Sequence, residues 1–274
     1  GCTVWVAEGN YAIFQSARSD TLQLASDVEI FGGFAGNETR ENQRDPEARV
    51  TVLDGGDAGN TANRVYRVVR ADNVTGAVLD GFTIRDGYAD GASGGGNAGG
   101  GVFVNASDVT LVQCIVTQNA AVYGGGVYTN SDGLTLIGTA VVDNDANYGG
   151  GLFLDDASAT FYGVQINQNT ATRPGLADGL GGGVYVDGTA TPYFLTAVFF
   201  GNYTDGYGGA LYHTGAESTV ENGLFVGNNA DERGGAVQAS NDSDPILTNC
   251  TFYGNQSGSA GSVVRAYDNS QVLV

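Results

Sequence analysis

The sequence contains no lysine and no methionine, and all eleven of its basic residues are arginine. Thirty acidic residues oppose them, so the formal net charge is −19. A chain this acidic repels phosphate groups, which argues against nucleic acid or an anionic bilayer as a partner. Cations are its natural counterpart, and we expect calcium or a saline medium around it.

Other features that the sequence lacks exclude further classes of protein. No run approaches 18 consecutive apolar residues, so this segment is not expected to insert into a membrane. Charged residues make up only 15% of the chain and glycine is abundant, which excludes a helical protein. The apolar content of 42%, with only four prolines, argues against a disordered glycine-rich chain. The first residues, GCTVWV, are typical of a strand and not of a signal peptide.

Glycine is what the sequence has in excess, and many of its 45 glycines occur in pairs at intervals of 25 to 32 residues. An asparagine follows each full pair by 20 or 21 residues. Two markers that recur in one phase indicate a solenoid. The pairs begin at Gly99, Gly124, Gly149, Gly181, Gly208 and Gly234, with a weaker copy at Gly261, and the asparagines are Asn119, Asn144, Asn169, Asn202, Asn228 and Asn255.

Each repeat contains three short strand-like pieces separated by Gly, Asn, Asp and Ser, and none has a helical period. In the second repeat these pieces begin at Val127, Leu134 and Thr139. Three short strands per repeat predict an all-β fold, a parallel β-helix of about ten coils. Glycine is needed where φ is positive, and asparagine both tolerates that conformation and can bond to its equivalent one coil on.

Stacked coils place equivalent residues in columns. The third residue after the first glycine of each pair is aliphatic and should face inward, and the next residue should then face outward. The inward column is Val102, Val127, Leu152, Val184, Leu211, Val237 and Val264. The outward column is Phe103, Tyr128, Phe153, Tyr185 and Tyr212, followed by Gln238 and Arg265.

The regular repeats occupy residues 99–274, whereas residues 1–98 repeat less regularly. We interpret residues 1–98 as N-terminal coils of the same continuous domain, with strands at 27–31, 65–69 and 78–84. Residues 36–49 are strongly charged and should form a surface loop whose arginines pair locally with its acidic residues. Because the chain stops in a strand-like run, we expect it to be a fragment of a longer protein.

The repeat motifs resemble those of polymorphic outer-membrane proteins, whose hallmarks are GGA followed by an aliphatic residue, and FxxN. The first motif occurs as GGAL at 208 and GGAV at 234, and the second as FFGN at 199, FVGN at 225 and FYGN at 252. The N-terminal segments VWVAEGNY, IFGGFAGNETRENQRDP and LDGFTIRDG are similar to the opening coils of large secreted bacterial proteins with this repeat. The resemblance implies a right-handed β-helix at the cell surface, an adhesin or structural passenger.

The outward aromatic column has two interpretations. Its rings could stack on one another and join the coils, at about 0.5–1.5 kcal/mol per pair. Alternatively, a strip of rings could bind the faces of sugars in a polysaccharide or a cell-surface glycan. The candidate glycan-binding residues are Phe103, Tyr123, Tyr128, Tyr148, Phe153, Tyr185 and Tyr212.

Two long insertions leave the solenoid at one corner, residues 87–98 after Asp86 and residues 170–180 after Asn169. Insertions on one face of a solenoid commonly frame its binding surface. We therefore expect a shallow groove between them, floored by Tyr123 and Tyr148. The alternative is that both insertions are merely tolerated.

Asp155 and Asp187 should lie about 5 Å apart on neighbouring coils, with Asp156 beside them. They could be solvated turn residues, or hold calcium together with Asp156. They could also act as the carboxylate pair of a retaining glycosidase, for which this separation is suitable. Parallel β-helices also include polysaccharide lyases, which commonly use lysine or arginine as the base beside calcium. Arg173 is the only such candidate near the expected groove.

The three cysteines and the single histidine are expected to be structural. Cys114 and Cys250 fall in one inward column five coils, about 24 Å, apart, and Cys2 lies at the other end, so all three should be unpaired thiols. His213 replaces an aliphatic residue in an inward column and should be a core histidine bonded to a carbonyl. No catalytic triad can be assembled around it.

Overall fold

The computed structural model describes residues 1–57, 59–91, 96–173, 178–258 and 263–274. The chain winds as a parallel β-helix, in which each strand pairs with the equivalent strands one coil before and after it. Three sheets have nine strands each, so the predicted all-β solenoid is confirmed. Two 3-10 turns, Glu41–Gln43 and Thr61–Asn63, interrupt the first coils. Among the described residues, no helix has the length and apolarity needed to cross a membrane.

We number the four sheets in the order in which the chain visits them. Sheet 1 contains Cys2–Ala7, Val28–Phe34, Ala77–Asp80, Val109–Val112, Leu134–Ile137, Thr160–Tyr162, Tyr193–Leu195, Thr219–Glu221 and Ile246–Thr248. Sheet 2 contains Gly9–Ala12, Thr51–Asp54, Phe82–Arg85, Ile115–Thr117, Ala140–Val142, Gln165–Asn167, Val198–Phe200, Leu224–Val226 and Thr251–Tyr253. Sheet 3 contains Tyr88–Ala89, Ala120–Tyr123, Asp145–Tyr148, Thr170–Ala171, Tyr203–Thr204, Asn229–Ala230 and Gln256–Ser257. Sheet 4 contains Leu22–Gln23, Val69–Asp72, Val102–Asn105, Val127–Thr129, Leu152–Asp155, Val184–Asp187, Leu211–Thr214, Val237–Ser240 and Val264–Ala266.

Sheet 3 is a fourth ladder beyond the three strands that the repeat predicts. Its strands are only two to four residues long, and each strand after the first directly follows an asparagine of the repeat. Ala120 pairs in register with Asp145, and Ala121 with Ala146. Such a segment is too short to show the alternation of apolar and polar residues that predicts a strand. Only its pairing with the neighbouring coils identifies it as one.

The core runs through the interior of the solenoid. The inward column predicted from the repeat is fully buried from Val102 to Val237, whereas Val264 on the last coil is half-buried. Phenylalanines stack inside as well, with ring centroids 4.6 Å apart for Phe199 and Phe225 and 4.7 Å apart for Phe225 and Phe252. These are the Phe residues of the FxxN motifs, so the motif marks a core ladder.

The two glycines of each pair are required for different reasons. Gly124, the first of its pair, has φ of +62°, a left-handed conformation that L side chains rarely adopt. At Gly125, an added Cβ would lie 2.3 Å from the backbone oxygen of Asp145. The first glycine therefore permits the bend, and the second lets two segments of backbone approach closely. The weaker copy at Gly261 lies outside the described residues.

The asparagine column forms a continuous hydrogen-bonded ladder inside the solenoid. Asn144 is 1% exposed, and its Nδ2 donates to Oδ1 of Asn169 at 3.0 Å and to the backbone oxygen of Val116 at 2.9 Å. Its own Oδ1 accepts from Nδ2 of Asn119 at 3.1 Å. The left-handed conformation belongs to the residue before each asparagine, such as Asp143 at φ 54°. The prediction of a bonded column is confirmed, but the turn is made one residue earlier.

The first 98 residues depart from two sequence predictions. Only Val69 of the expected 65–69 strand is extended, because Arg64 and Val65 instead pair with the turn at residues 55–56. The arginines of residues 36–49 do not pair within their own segment. Arg44 binds Asp80 at 2.6 Å and Arg49 binds Glu8 at 3.2 Å, both on other parts of the solenoid.

The three cysteines differ in burial, whereas the histidine lies in the core. Cys2, Cys114 and Cys250 are all free thiols, as expected, but only Cys114 is buried, Cys250 is partly buried and Cys2 is exposed. The expectation of a structural thiol is therefore wrong for Cys2.

His213 is completely buried, also as expected. Its Nε2 lies 2.8 Å from the hydroxyl of Ser218, a partner that the sequence did not predict. Ser218 lies in the loop that follows the strand of His213, so its hydroxyl is close to the imidazole. Burial lowers the pKa of His213, and a backbone hydrogen bond with Gln238 opposes this lowering, in line with the predicted carbonyl partner.

Candidate functional site

The outward column is a ladder of stacked rings on sheet 4, which we call the outer aromatic ladder: Phe103, Tyr128, Phe153, Tyr185 and Tyr212. Successive centroids are 5.2, 5.8, 4.7 and 5.2 Å apart, and the ring planes are 7 to 26° from parallel. Because paired strands set this spacing, each ring covers the faces of its neighbours. The middle of the ladder therefore presents ring edges and hydroxyls to the outside.

A second aromatic pair packs beside the outer aromatic ladder. Tyr123 and Tyr148 stack with their ring centroids 5.4 Å apart. Tyr123 packs edge to face with Phe153 at a centroid distance of 5.3 Å, and Tyr148 packs in the same way with Tyr185 at 5.8 Å. Phe153 is consequently only 5% exposed and Tyr185 only 9%. All seven aromatic residues predicted for glycan binding thus lie in one cluster, with their faces directed mainly at one another.

Arginines cover the ends and the side of this cluster. The guanidinium of Arg67 lies 4.2 Å from the ring centre of Phe103, and burial lowers the pKa of Arg67 to about 10. Arg173, the candidate base, lies 4.9 Å from the ring centre of Tyr148. A guanidinium over an aromatic face is a favourable cation–π contact. Arginine remains protonated in proteins, so this position suits a fixed cation and not a proton acceptor.

The carboxylate pair lies at the end of two adjacent strands of sheet 4. Asp155 and Asp187 are register partners, as the repeat predicts. The hydroxyl of Tyr128 donates to Oδ2 of Asp155 at 2.5 Å, and the amide of Gly188 donates to Oδ1 of Asp187 at 2.9 Å. Burial, together with the charges of Asp155 and Asp156, raises the pKa of Asp187.

Asp156 is engaged elsewhere. Its Oδ1 accepts from the amide of Thr189 at 2.7 Å and from the Thr189 hydroxyl at 3.1 Å. The hydrogen bond from the Thr189 amide lowers the pKa of Asp156, which keeps this carboxylate ionised. Within the part of the chain that the structure describes, no three His, Cys, Asp or Glu side chains converge as metal ligands.

A groove of about 250 Å³ lies between the two long insertions, at the predicted corner. Its floor is made by Ala120, Ala121 and Ala146 of sheet 3, and its walls include Tyr88 and Thr172 from the insertions. The predicted floor was therefore wrong. Tyr123 and Tyr148 pack against the outer aromatic ladder instead, which leaves the small alanines to face the groove. Parts of both insertions, residues 92–95 and 174–177, lie outside the described residues.

Polar groups border the groove on two sides. Asp90 pairs with Arg18 at 2.6 Å, and Arg18 also lies 4.3 Å from the ring centre of Tyr66. Asp145, which is exposed, also lines the groove. Sequence reasoning missed Arg18 because it lies 70 residues before Tyr88, to whose backbone oxygen it donates at 2.6 Å. No feature of the repeat marks it.

Comparison with known proteins bears on the fold. A family model described as "Right handed beta helix region" matches residues 58–225, more than half of the chain. No curated protein matches the sequence.

Proposed function

We propose a function for this chain on the premise that it belongs to the right-handed β-helix family. It serves as a rigid extracellular rod in a bacterial surface protein, an adhesin or structural passenger of the polymorphic outer-membrane protein type. The GGAL, GGAV and FxxN motifs of its later coils support this subtype. The net charge of −19 suits a protein exposed to a medium rich in cations.

One observation carries the proposal: the regular coils are joined to one another by the same bonds. Asparagine side chains connect successive coils from Asn119 to Asn255 at 2.8 to 3.1 Å. Nine coils at about 4.8 Å each make a rod of about 40 Å. Interactions that repeat along an axis resist bending and stretching, which is what a displayed stalk requires.

Surface display can be tested in the bacterium that produces the protein. Antibodies raised against this chain should label intact cells, and external protease should remove the signal without lysis. A cytoplasmic protein serves as the lysis control. Labelling that appears only after the cells are broken would contradict the proposed location.

A second candidate role is glycan binding at the groove between the insertions. The observation that favours it is the combination of an apolar alanine floor with polar walls that include Asn147 and Thr172. Sugar sites commonly combine an apolar surface with a few directed polar groups. On the neighbouring sheet 4, Phe103, Tyr128 and Tyr212 of the outer aromatic ladder are only half-buried and offer ring edges to a longer glycan.

A glycan array with purified protein tests this role. Binding should fall about tenfold in the Asn147→Ala and Thr172→Val variants, since each loses a hydrogen bond to the ligand. Asn167→Ala is the matched control, because Asn167 lies in sheet 2 and does not line the groove. Equal losses in the control, or no glycan bound at millimolar concentration, would exclude the groove.

A carbohydrate-active enzyme is the alternative function. In that case Asp187, with its raised pKa, would be the acid and Asp155 the nucleophile, and a calcium ion could bridge the same pair. Release of reducing ends or unsaturated products from acidic polysaccharides, with and without EDTA, tests this directly. An Asp187→Asn variant whose measured turnover is unchanged would rule out the assignment.

A further inference from the structure

A second cleft, which we call the arginine cleft, opens where the outer aromatic ladder ends. Tyr212 is followed in its column by Gln238 and then Arg265. In the neighbouring column Tyr207 is followed by Arg233. These side chains and Tyr267 line a cavity of about 290 Å³. That volume lies near the lower end of the range for small-molecule sites, about 300–1,000 Å³.

Among the described residues, neither arginine of this cleft makes an ion pair, although the chain carries 30 acidic residues. In the N-terminal coils, Arg18, Arg44, Arg49, Arg70 and Arg85 each pair with a carboxylate, whereas the other three arginines of those coils do not. The two guanidinium groups therefore remain available to an anionic ligand, although Asp178 and Glu232 lie near Tyr207 on the other side of the cleft.

Two polar atoms at the cleft also lack partners. The Nε of Arg233 and the Oε1 of Gln238 are shielded from solvent and have no hydrogen-bond partner among the described residues. Gln238 is only 2% exposed, and its Nε2 donates to the Ala239 oxygen and to the Ser240 hydroxyl, both at 3.1 Å. Those bonds fix the amide, so its oxygen remains a free acceptor. Buried polar atoms without partners are costly, and a ligand that supplied partners would relieve the cost.

The polar groups of the cleft that lack partners determine which groups the ligand must carry. The guanidinium groups require an anionic acceptor, for which a carboxylate gives a paired geometry. The amide oxygen requires a donor close to that carboxylate, such as a hydroxyl. The Tyr207 side of the cleft is bordered by Asp178 and Glu232, which together with burial raise the pKa of Tyr207. The anionic end of the ligand should therefore point away from that side, towards Arg265.

We propose that the arginine cleft binds a hydroxylated carboxylate of the uronic acid type. The carboxylate lies between Arg233 and Arg265, and a ring hydroxyl donates to Gln238. The sugar ring packs beside the exposed Tyr267, whose ring centre lies 5.2 Å from the guanidinium of Arg265. This site goes beyond the role of a displayed rod and is separate from the alanine-floored groove. It can exist whether or not that groove binds a glycan.

Calorimetry or NMR titration of the full chain with glucuronate, glucose and inorganic sulfate tests the assignment. We expect glucuronate to bind at least about tenfold more tightly than glucose, because only glucuronate offers a carboxylate to the arginines. Its affinity should fall as salt rises. Sulfate should bind more weakly than glucuronate, since it has no hydroxyl for Gln238. Glucose binding equal to glucuronate, or sulfate equal to glucuronate, would overturn the proposal.

Substitutions locate the site. Arg233→Gln and Arg265→Gln should each weaken glucuronate binding about tenfold or more while the thermal transition stays in place. Arg40→Gln is the matched control, since Arg40 is exposed and lines neither the arginine cleft nor the alanine-floored groove. If one cleft variant fails to fold, the other decides the question. Losses of equal size in Arg40→Gln, or unchanged affinity in a folded cleft variant, would refute the site.

Discussion

At the scale of single residues, the ladder asparagines connect more of the molecule than any other side chain. Asn169 accepts at Oδ1 from both the amide and the Nδ2 of Asn144, and its own Nδ2 donates to Val141 and Asn202. One fully buried side chain thereby joins three coils. Its loss leaves polar groups on the neighbouring coils without partners.

Replacing Asn169 with leucine, which has a similar size, should lower the free energy of unfolding by about 2–4 kcal/mol, the cost of stranding several buried polar groups. Asn255→Leu is the control, because Asn255 ends the ladder and is half-buried. Urea denaturation followed by circular dichroism measures both. A central substitution no more costly than the terminal one would mean that the ladder contributes little.

His213 gives the molecule a pH dependence of predictable sign. Burial lowers the pKa of this histidine from 6.5 to about 4, so folding favours the neutral imidazole. Its contribution to stability is complete above pH 6.5 and is lost as the pH falls from 6.5 towards 4. The shift corresponds to about 3 kcal/mol.

Urea denaturation at pH 7.5 and pH 4.5 should therefore show a larger loss of stability for the natural chain than for His213→Val, an aliphatic replacement that suits this column. Carboxylates titrate in both proteins and cancel in the comparison. Equal losses in the two proteins would show that His213 is not the titrating group.

At the scale of elements, the sheets are joined by stacked side chains as well as by backbone bonds. The outer aromatic ladder has one ring per coil over five coils, and Phe153 at its centre contacts Tyr128, Tyr185 and Tyr123. Phe103 at one end contacts a single ring and Arg67. The ladder's contribution should thus depend on position.

Phe153→Ala should destabilise the chain by about 3–5 kcal/mol, because it opens a cavity and removes three ring contacts. The effect of Phe103→Ala should be clearly smaller, since Phe103 is half-buried and has fewer ring neighbours. Thermal and urea denaturation of the two variants provide the comparison. Equal losses of stability in the two variants would indicate that ring stacking contributes nothing beyond the burial of each ring.

At the scale of the whole molecule, the described strands pair only with the equivalent strands of the coils on either side. Such a solenoid can change its length if the phase of the repeat is kept. The coil from Gly124 to Tyr148 is 25 residues long, and its strands pair in register with those of both neighbouring coils.

Deletion of residues 124–148 should give a soluble, β-rich protein in which Asn119 bonds to Asn169 and the melting temperature falls by only a few degrees. Deletion of residues 124–146 removes a similar mass but breaks the phase, and should give an unfolded or aggregated chain. Circular dichroism and size-exclusion chromatography distinguish them. Two equally folded products would contradict the dependence on phase.

The sequence alone determined the coil, its columns and the direction each column faces. These features were predictable because each is a local requirement repeated in every coil: a left-handed glycine at Gly124, a close backbone approach at Gly125, an asparagine at Asn144. The register of Asp155 with Asp187 followed from the same periodicity.

Only the tertiary structure decided what meets at the corners. Tyr123 turned towards Phe153, so alanines floor the groove, and Arg44 reached Asp80 in place of a carboxylate of its own segment. Arg173 came to lie over Tyr148. These contacts join side chains from different coils where loop lengths vary, and a repeat carries no information about positions that do not repeat. The same holds for the arginine cleft, which exists because the aromatic column ends and two unpaired arginines converge there.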